Sequence, residues 1–292
     1  MNRRALFLFL AMSVIWGISY LFIRIAVADI SPIVLVFVRT LIGAAILLPI
    51  ALARGGLRGL AKSWLPLLAF AGAEIGVPWV LMSHAEQSIS SSLAGLLVAA
   101  VPLVGVVIAT AGGNREHLGP ASVSGLLLGL AGVAAIVGFD LKVTNWVALV
   151  EMAVVVVCYA LGPAILSRYL GGLPSVGVIA VALSACAIIY APVAALQWPH
   201  SVPPVSVFVS VGVLAVVCTA LGFLLFFALV AEIGPVRATV ITYVNPVVAA
   251  VLGVIVLHER FTAAMAAGFV LVVLGSVLAT RRRITRVQSA SP

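Results

Sequence analysis

The sequence predicts an all-α polytopic membrane protein in which ten transmembrane helices form two inverted five-helix repeats. Three observations support this prediction: the composition, ten long apolar stretches and an internal repeat. Of the 292 residues, 64% are hydrophobic and 8% are charged, whereas an ordinary soluble domain is about 25% charged. This mixture cannot build a water-soluble surface, so most of the surface must face the lipid bilayer.

Ten apolar stretches are each long enough to cross a bilayer, which takes about 20 mostly apolar residues. They cover residues 5–27, 32–53, 64–84, 90–111, 118–138, 146–168, 174–196, 205–231, 235–257 and 263–280. The loops between them are short, so no soluble domain is expected. The first stretch has the charged start of a signal peptide, but it is too long for one, and we expect it to be retained as a helix.

Ten crossings place both ends of the chain on the same side of the membrane, and the basic residues indicate which side. On that side lie Arg3, Arg4, Arg54, Arg58, Lys62, Arg115, Arg168, Arg237 and the four C-terminal arginines. The other side holds Arg24, Lys142 and Arg260. Because cytoplasmic loops carry an excess of Lys and Arg, we predict a multi-pass protein of the cytoplasmic membrane with both termini in the cytoplasm. The net charge of +8 lies in loops and ends and does not indicate nucleic-acid binding.

The two halves of the chain share a spaced motif of proline, glutamate and two glycines. Residues 93–102 align with 237–246 at an offset of 144, and the later positions align at an offset of 143. The matched pairs are Pro102 with Pro246, Glu116 with Glu259, Gly125 with Gly268 and Gly132 with Gly275. Five crossings per half is an odd number, so the halves must be inverted, which is typical of secondary transporters. The predicted units are 1–140, 141–281 and a basic cytoplasmic tail, 282–292.

Four segments carry a resemblance to a known family. They are "IWGISYLFIRIA" (15–26), "SPIVLVFVRTLIGAAILL" (31–48), "AGLLVAAVPLVGVVIA" (94–109) and "NPVVAAVLGVIVLHERFTAAMAAGFVLVVLGSVLA" (245–279). The chain resembles the EamA branch of the drug/metabolite transporter superfamily. That resemblance implies a central cavity between the halves and the export or exchange of small metabolites, often amino acids or related amphipathic compounds. It does not imply one substrate.

Three ionisable residues are candidates for function or for structural support. Glu74 lies near the midplane, where a charge costs about 2.5–3.5 kcal/mol. It is either a ligand for a substrate amine or a proton carrier, or it is a protonated carboxyl hydrogen-bonded inside the bundle. Arg39, which matches an arginine of the family motif, is interpreted as structural and paired with a carboxyl or with helix-end carbonyls. Glu259, next to Arg260, is interpreted as an interfacial ion pair or a helix-end contact.

Pro102 and Pro246 are candidate hinges, because proline removes a backbone donor and displaces the carbonyl four residues earlier. Thr242 and Asn245 place small polar groups beside Pro246. We therefore predict a kinked helix that faces the cavity at this point, with a kink packed among other helices as the alternative.

Four aromatic residues lie away from most predicted helix ends: Trp16, Trp79, Tyr159 and Tyr243. Trp and Tyr are usually enriched at the membrane interface. These rings are candidates for stacking on a substrate, or they are large packing residues. Trp79 is also a candidate for part of an outer gate.

No enzyme motif, nucleotide-binding loop or metal-ligand motif is present in the sequence. The three cysteines lie in apolar runs and are expected to pack in the core. We therefore predict no cofactor, and transport driven by an ion gradient or by exchange, with protons as a candidate coupling ion. A receptor or assembly protein and a multidrug exporter of cationic compounds are the alternatives. The sequence does not predict an oligomeric state.

Overall fold

The computed structural model describes residues 3–111, 120–138, 145–234, 238 and 240–280, and within them it contains helices and connecting turns. The predicted fold class is confirmed. The helices are α1 (Arg3–Ala26), α2 (Pro32–Ala53), α3 (Leu60–Ala85), α4 in two pieces (Ser91–Val98 and Val101–Ala111), α5 (Pro120–Gly138), α6 (Trp146–Leu170), α7 (Ser175–Leu196), α8 (Val205–Ile233), α9 (Ile241–Leu257) and α10 (Ala263–Thr280). All but α9 are long and apolar enough to cross a membrane.

Most predicted helix ends differ from the observed ends by a few residues, and α9 is the main exception. It begins at Ile241, six residues later than predicted, because Val240 forms a turn before it. Glu116, the boundary at residue 140 and the tail 282–292 lie outside the described residues.

Several helix ends on the predicted outer side are capped by local side chains. The Ser90 hydroxyl accepts a hydrogen bond from the Leu93 amide at 3.1 Å, and the Asn145 side chain accepts one from Val147 at 3.0 Å. Ser31 caps α2 in the same way, immediately before Pro32. These caps satisfy backbone donors that have no partner within the helix, which fixes where α2, α4 and α6 begin.

Three helices contain wide, π-helical turns: Gly72–Gly76 in α3, Leu166–Leu170 in α6 and Val213–Leu221 in α8. A π turn changes which side chains face a neighbour and often marks a functional site. Two of these turns, in α3 and α8, carry Glu74 and Thr219, which are discussed below.

The glycines of the repeat form a seam between α5 and α10. A Cβ atom added at Gly125 would lie 2.7 Å from the carbonyl oxygen of Gly275, and one added at Gly132 would lie 2.6 Å from that of Gly268. Each glycine thus faces the repeat equivalent of the other glycine in its own helix: Gly125 faces Gly275, and Gly132 faces Gly268. This reciprocal pattern is what a two-fold axis in the membrane plane produces between inverted repeats.

Other helix pairs follow the same symmetry. The helix α2 packs extensively on α7, its repeat equivalent, and α1 packs on α9 as α6 packs on α4. At the contact of α1 with α9, Gly17 leaves room for Val248 and for the backbone of Asn245. The two halves therefore interlock along their length, and α2, α3, α6 and α8 meet on one side of the bundle.

Candidate functional site

Arg39 is a buried cation on α2, with 6% of its surface exposed. Its guanidinium group lies over the ring of Trp79, 3.6 Å from the ring centroid. Its Nε donates a hydrogen bond of 2.8 Å to the hydroxyl of Thr219 on α8. Within the described part of the chain, ion pairs join Arg4 to Glu232 and His84 to Glu151, and neither includes Arg39. Its observed contacts are therefore an aromatic face and a hydroxyl.

The π turn of α8 presents Thr219 to Arg39. The Thr219 hydroxyl donates to the carbonyl of Leu214, five residues earlier, at 2.8 Å. That donation orients the hydroxyl so that its oxygen accepts from Arg39. The position of the guanidinium is thus fixed from two sides, by Thr219 of the second half and Trp79 of the first.

Glu74 projects from the π turn of α3 toward α6. Its Oε2 lies so close to Gly162 that a Cβ atom there would overlap it. The same Oε2 is buried and has no hydrogen-bond partner among the described residues. Space for the carboxyl comes from Gly162, whereas the neighbouring Gly72 faces open space. The structure thus holds a carboxyl oxygen without a hydrogen bond inside the bundle, where an unpaired polar atom costs free energy.

Tyr159 of α6 interacts electrostatically with both Glu74 and Arg39. The four residues Arg39, Glu74, Trp79 and Tyr159 therefore form one group, which we call the charged site. It offers a cation on an aromatic face, a carboxyl and a phenol, supplied by α2, α3 and α6.

Trp16 lies at the contact of α1 with α8. Its indole N–H donates to the carbonyl of Cys218 at 3.2 Å, and the Cys218 thiol donates to the carbonyl of Ile15 at 3.2 Å. The ring also packs on Phe223 and Phe226, at centroid distances of 6.0 and 5.0 Å. These contacts tie α1 to the π turn of α8.

The polar residues near Pro246 lie where α9 meets α1. Asn245 is buried, and the orientation of its amide that satisfies its neighbours lets the nitrogen donate to the carbonyls of Ser13 at 3.0 Å and Ile241 at 2.9 Å. Pro246 is buried beside Gly95 of α4. Thr242 and Tyr243 are half-buried. A role for these residues in substrate binding stays a prediction.

The two repeat-related prolines occupy different helical contexts. The helix α4 is interrupted at Ala99 and Ala100, and Pro102 is the second residue of its second piece. Pro246 lies inside α9, which runs from Ile241 to Leu257 without a break. Their role as hinges stays a prediction.

Glu259 forms a helix-end contact that joins the halves at the predicted outer end. Its Oε1 accepts from the amide and hydroxyl of Ser91 at 2.8 and 2.9 Å, and its Oε2 accepts from those of Ser92 at 2.9 and 2.5 Å. Gly253 leaves room for this carboxylate and for the Ser92 hydroxyl. Four donors at the start of α4 therefore hold one carboxylate of the second half.

Two features of this region were missed by the sequence reasoning. The run Ser90–Ser92 is typical of a helix start, but its partner lies 167 residues away and has no local signal. Glu86 was also missed. It follows the last residue of α3, where a charge is expected to reach water, yet it is completely buried.

A bundle of apolar helices in two inverted halves, with Arg39 and the Glu74 carboxyl held inside it between α2, α3 and α6, is the arrangement of a multi-pass membrane transporter. The model of the EamA-like transporter family matches the chain twice, over residues 3–138 and 146–281. The chain belongs to this family.

Relatives support the same assignment. The chain is 30% identical to an uncharacterized inner membrane transporter of Escherichia coli strain K12, YedA, over 252 residues that cover 83% of this chain and 79% of YedA. It is 28% identical over 270 residues to an uncharacterized transporter of Bacillus subtilis strain 168, YvbV, covering 89% and 86%. A solved crystal structure shares the fold, with a TM-score of 0.67 at 24% identity over 96% of this chain and 97% of the other.

Proposed function

We propose that this transporter exports or exchanges small metabolites, such as amino acids or related amphipathic compounds, across the cytoplasmic membrane by alternating access around the charged site. The observation that carries this proposal is Arg39, a buried cation whose described contacts include no carboxylate. A buried charge without an opposite charge is costly, and a substrate carboxylate would remove that cost when it binds.

The geometry around Arg39 suits a planar acid. Trp79 covers one face of the guanidinium and Thr219 occupies its Nε. The two terminal nitrogens are the donors that pair with a carboxylate in the bidentate mode, which is among the strongest hydrogen-bonded contacts in proteins. The Trp79 ring then provides an apolar surface for the rest of the substrate.

Glu74 and Tyr159 supply the complementary end of the charged site. Glu74 has an oxygen without a hydrogen-bond partner, and Tyr159 interacts electrostatically with both charged groups. An ammonium group would satisfy Glu74 while a carboxylate satisfies Arg39. A zwitterion such as an amino acid carries both groups, so a single molecule would pair with both the Arg39 guanidinium and the Glu74 carboxyl.

The two alternatives are weaker on physical grounds. A multidrug exporter of cationic compounds would have to bring each cation close to Arg39, and like charges in a poorly polarisable site repel strongly. A receptor or assembly protein has no need of two interlocked inverted halves.

The test is transport into vesicles that contain the purified protein, with a panel of amino acids covering each side-chain class. Any amino acid that moves is then compared with its methyl ester, which lacks the negative charge, and its N-acetyl derivative, which lacks the positive charge. Arg39→Lys keeps the positive charge but loses the planar guanidinium that stacks on Trp79 and its paired terminal donors. It should slow transport of the amino acid and of its N-acetyl form about tenfold or more and leave transport of the ester unchanged. Glu74→Gln should spare the N-acetyl form.

Glu232→Gln provides a matched control, because Glu232 pairs with Arg4 at the other end of the bundle. It should transport all three compounds like the parent. Faster movement of the esters than of the amino acids would favour the cationic-compound alternative. Binding of the panel without any movement into vesicles would favour a receptor.

A further inference from the structure

Glu86 is buried more completely than any other carboxylic acid in the described part of the chain. It is 0% exposed. Neither of its carboxyl oxygens has a hydrogen-bond partner among the described residues. Its backbone amide, by contrast, donates a hydrogen bond to the carbonyl of Met82 at 2.9 Å. A carboxylate in such a place costs several kcal/mol relative to its hydrated state.

The charged and titratable groups around Glu86 come from three other elements. They are Tyr20 and Arg24 of α1, Arg39 of α2, and Glu259 of the turn before α10. Arg24 donates its hydrogen bond to the backbone carbonyl of Glu86 and not to its carboxyl group. No ion pair in the described residues includes Glu86. Burial, and next the charge of Glu259, raise the pKa of Glu86 well above its ordinary value, while Arg24 and Arg39 oppose this shift.

Glu86 and Glu259 therefore form a pair of acids in opposite environments. Four donors from Ser91 and Ser92 bind the Glu259 carboxylate, whereas no described residue donates a hydrogen bond to the Glu86 carboxyl. A buried carboxyl that accepts no hydrogen bond favours its neutral form. Burial in the packed outer end therefore raises the pKa of Glu86 and favours its protonated form.

A cleft at the outer end of the bundle is lined by Gln87, the residue after Glu86. This cleft of about 600 Å³ opens between the outer end of α1, the turn after α3, α8 and α9, and its lining includes Arg24, Asp29 and Gln87. Gln87 follows Glu86 in the chain, and Arg24 binds the Glu86 carbonyl.

We propose that Glu86 is a proton-binding site of the outer gate, which takes up a proton through this cleft and lets the outer ends of α1 and α3 stay packed together while it is protonated. Release of the proton leaves a carboxylate that requires water, and water reaches it only when these ends separate. The proton adds to one carboxyl oxygen and leaves from it, and no other bond changes. This inference rests on the proposed transport function, for which it supplies the coupling ion.

The direction of the pH effect follows from the raised pKa. The packed outer end binds the proton more tightly than the open one, so low pH favours the packed form. As the pH rises through the pKa of Glu86 in the packed form, the open form gains by up to about tenfold per pH unit.

The test measures the opening of the outer end without any substrate. Ser83 lies one helical turn before Glu86 and is 2% exposed. In the variant Ser83→Cys, the new cysteine is the reporter, and a membrane-impermeant maleimide labels it when the outer end opens. The parent without this cysteine gives the background. The labelling rate in the reporter protein, divided by the rate in the same protein with Glu86→Gln, should rise as the pH goes from roughly 5.5 to 8. This ratio cancels the intrinsic pH dependence of the thiol.

Glu232→Gln, the same change at the inner end, is made in the Ser83→Cys protein and should be labelled at the same rate as Ser83→Cys alone at every pH. A ratio for Glu86→Gln that stays constant over this pH range would overturn the proposal. If Glu86→Gln does not fold, infrared spectra of the parent and of Glu86→Asp replace it. A protonated carboxyl band should be present at low pH, decline with rising pH and shift in Glu86→Asp. Absence of such a band would also overturn the proposal. Since no substrate is present, a failure of the transport assay leaves these outcomes unaffected.

Discussion

Gly132 of α5 and Gly268 of α10 pack backbone against backbone: a Cβ atom added to Gly132 would lie 2.6 Å from the Gly268 carbonyl oxygen, and one added to Gly268 would lie 2.7 Å from that of Gly132. The obstructing atom is in each case part of a helix backbone and cannot rotate away. The seam therefore admits no side chain at these two positions.

Gly132→Ala is expected to lower the stability of the bundle. The added methyl group must push α5 away from α10, and overpacking of this kind costs about 1–3 kcal/mol. The measurement is the melting temperature of the purified protein in detergent, read from the loss of the monodisperse peak after heating. A melting temperature equal to that of the parent would show that the seam is looser than described.

Gly105→Ala is the matched control for this change. Gly105 lies in α4, and a Cβ atom there meets nothing within 4 Å. Replacing glycine by alanine within a helix is intrinsically favourable by about 0.5–1 kcal/mol. The control should therefore melt at the same temperature as the parent or higher.

Glu259→Gln should reduce expression and stability while leaving transport per folded molecule mostly intact. A glutamine amide presents an NH₂ group where Glu259 Oε1 or Oε2 accepts from the N–H and O–H of a serine. Donor then faces donor, at a cost of about 1–3 kcal/mol. The measurements are the yield of monodisperse protein, its melting temperature and its transport rate per molecule.

Ser91→Ala tests whether this contact is specific. It removes one of the two hydroxyl donors, and combined with Glu259→Gln it should add less destabilisation than it does alone. Fully additive effects would show that Glu259 stabilises the protein through other contacts.

Both termini are expected in the cytoplasm, with residues 54–62 on the same side. The excess of arginine in the corresponding loops motivates this prediction. The test uses a reporter that is active only outside the cytoplasm. Fused at the C-terminus it should be inactive, and fused within the loop after α1 it should be active. An active C-terminal fusion would show the opposite orientation.

Much of the fold could be predicted from the sequence because each part of that prediction depends on local pattern. Ten apolar stretches, the spacing of Gly125 and Gly132, and the recurrence of that spacing at Gly268 and Gly275 all lie in continuous segments. These features were sufficient for the inverted repeats. The sequence did not reveal that the glycine pairs face each other, since the pairing depends on the antiparallel approach of two distant helices.

The candidate site was harder to predict, because its contacts join residues far apart in the chain. Glu74 was identified from its depth alone, but the space for its carboxyl comes from Gly162 and not from the glycines beside it. Arg39 was expected to contact a carboxyl or helix-end carbonyls, and its described contacts are Trp79 and the Thr219 hydroxyl. The π turn that presents Thr219 has no recognisable sequence signal.

Pro246→Ala is expected to slow transport without harming the fold. The substitution gives residue 246 a backbone N–H and removes the ring that crowds the preceding turn, so α9 becomes straighter and stiffer. Because α9 packs on α1 through Asn245 and on α4 beside Gly95, a stiffer α9 resists the separate tilting of its two ends. We expect normal insertion, an unchanged or higher melting temperature and much slower transport.

Pro102→Ala distinguishes this hinge from a general effect of losing a proline. Pro102 is the second residue of the second piece of α4, where an N–H has no partner within the helix. The interruption at Ala99 and Ala100 should persist, so its effect on transport should be smaller than that of Pro246→Ala. If Pro246→Ala transports normally while well-expressed Glu259→Gln does not, the hinge and the structural contact have been assigned to the wrong residues.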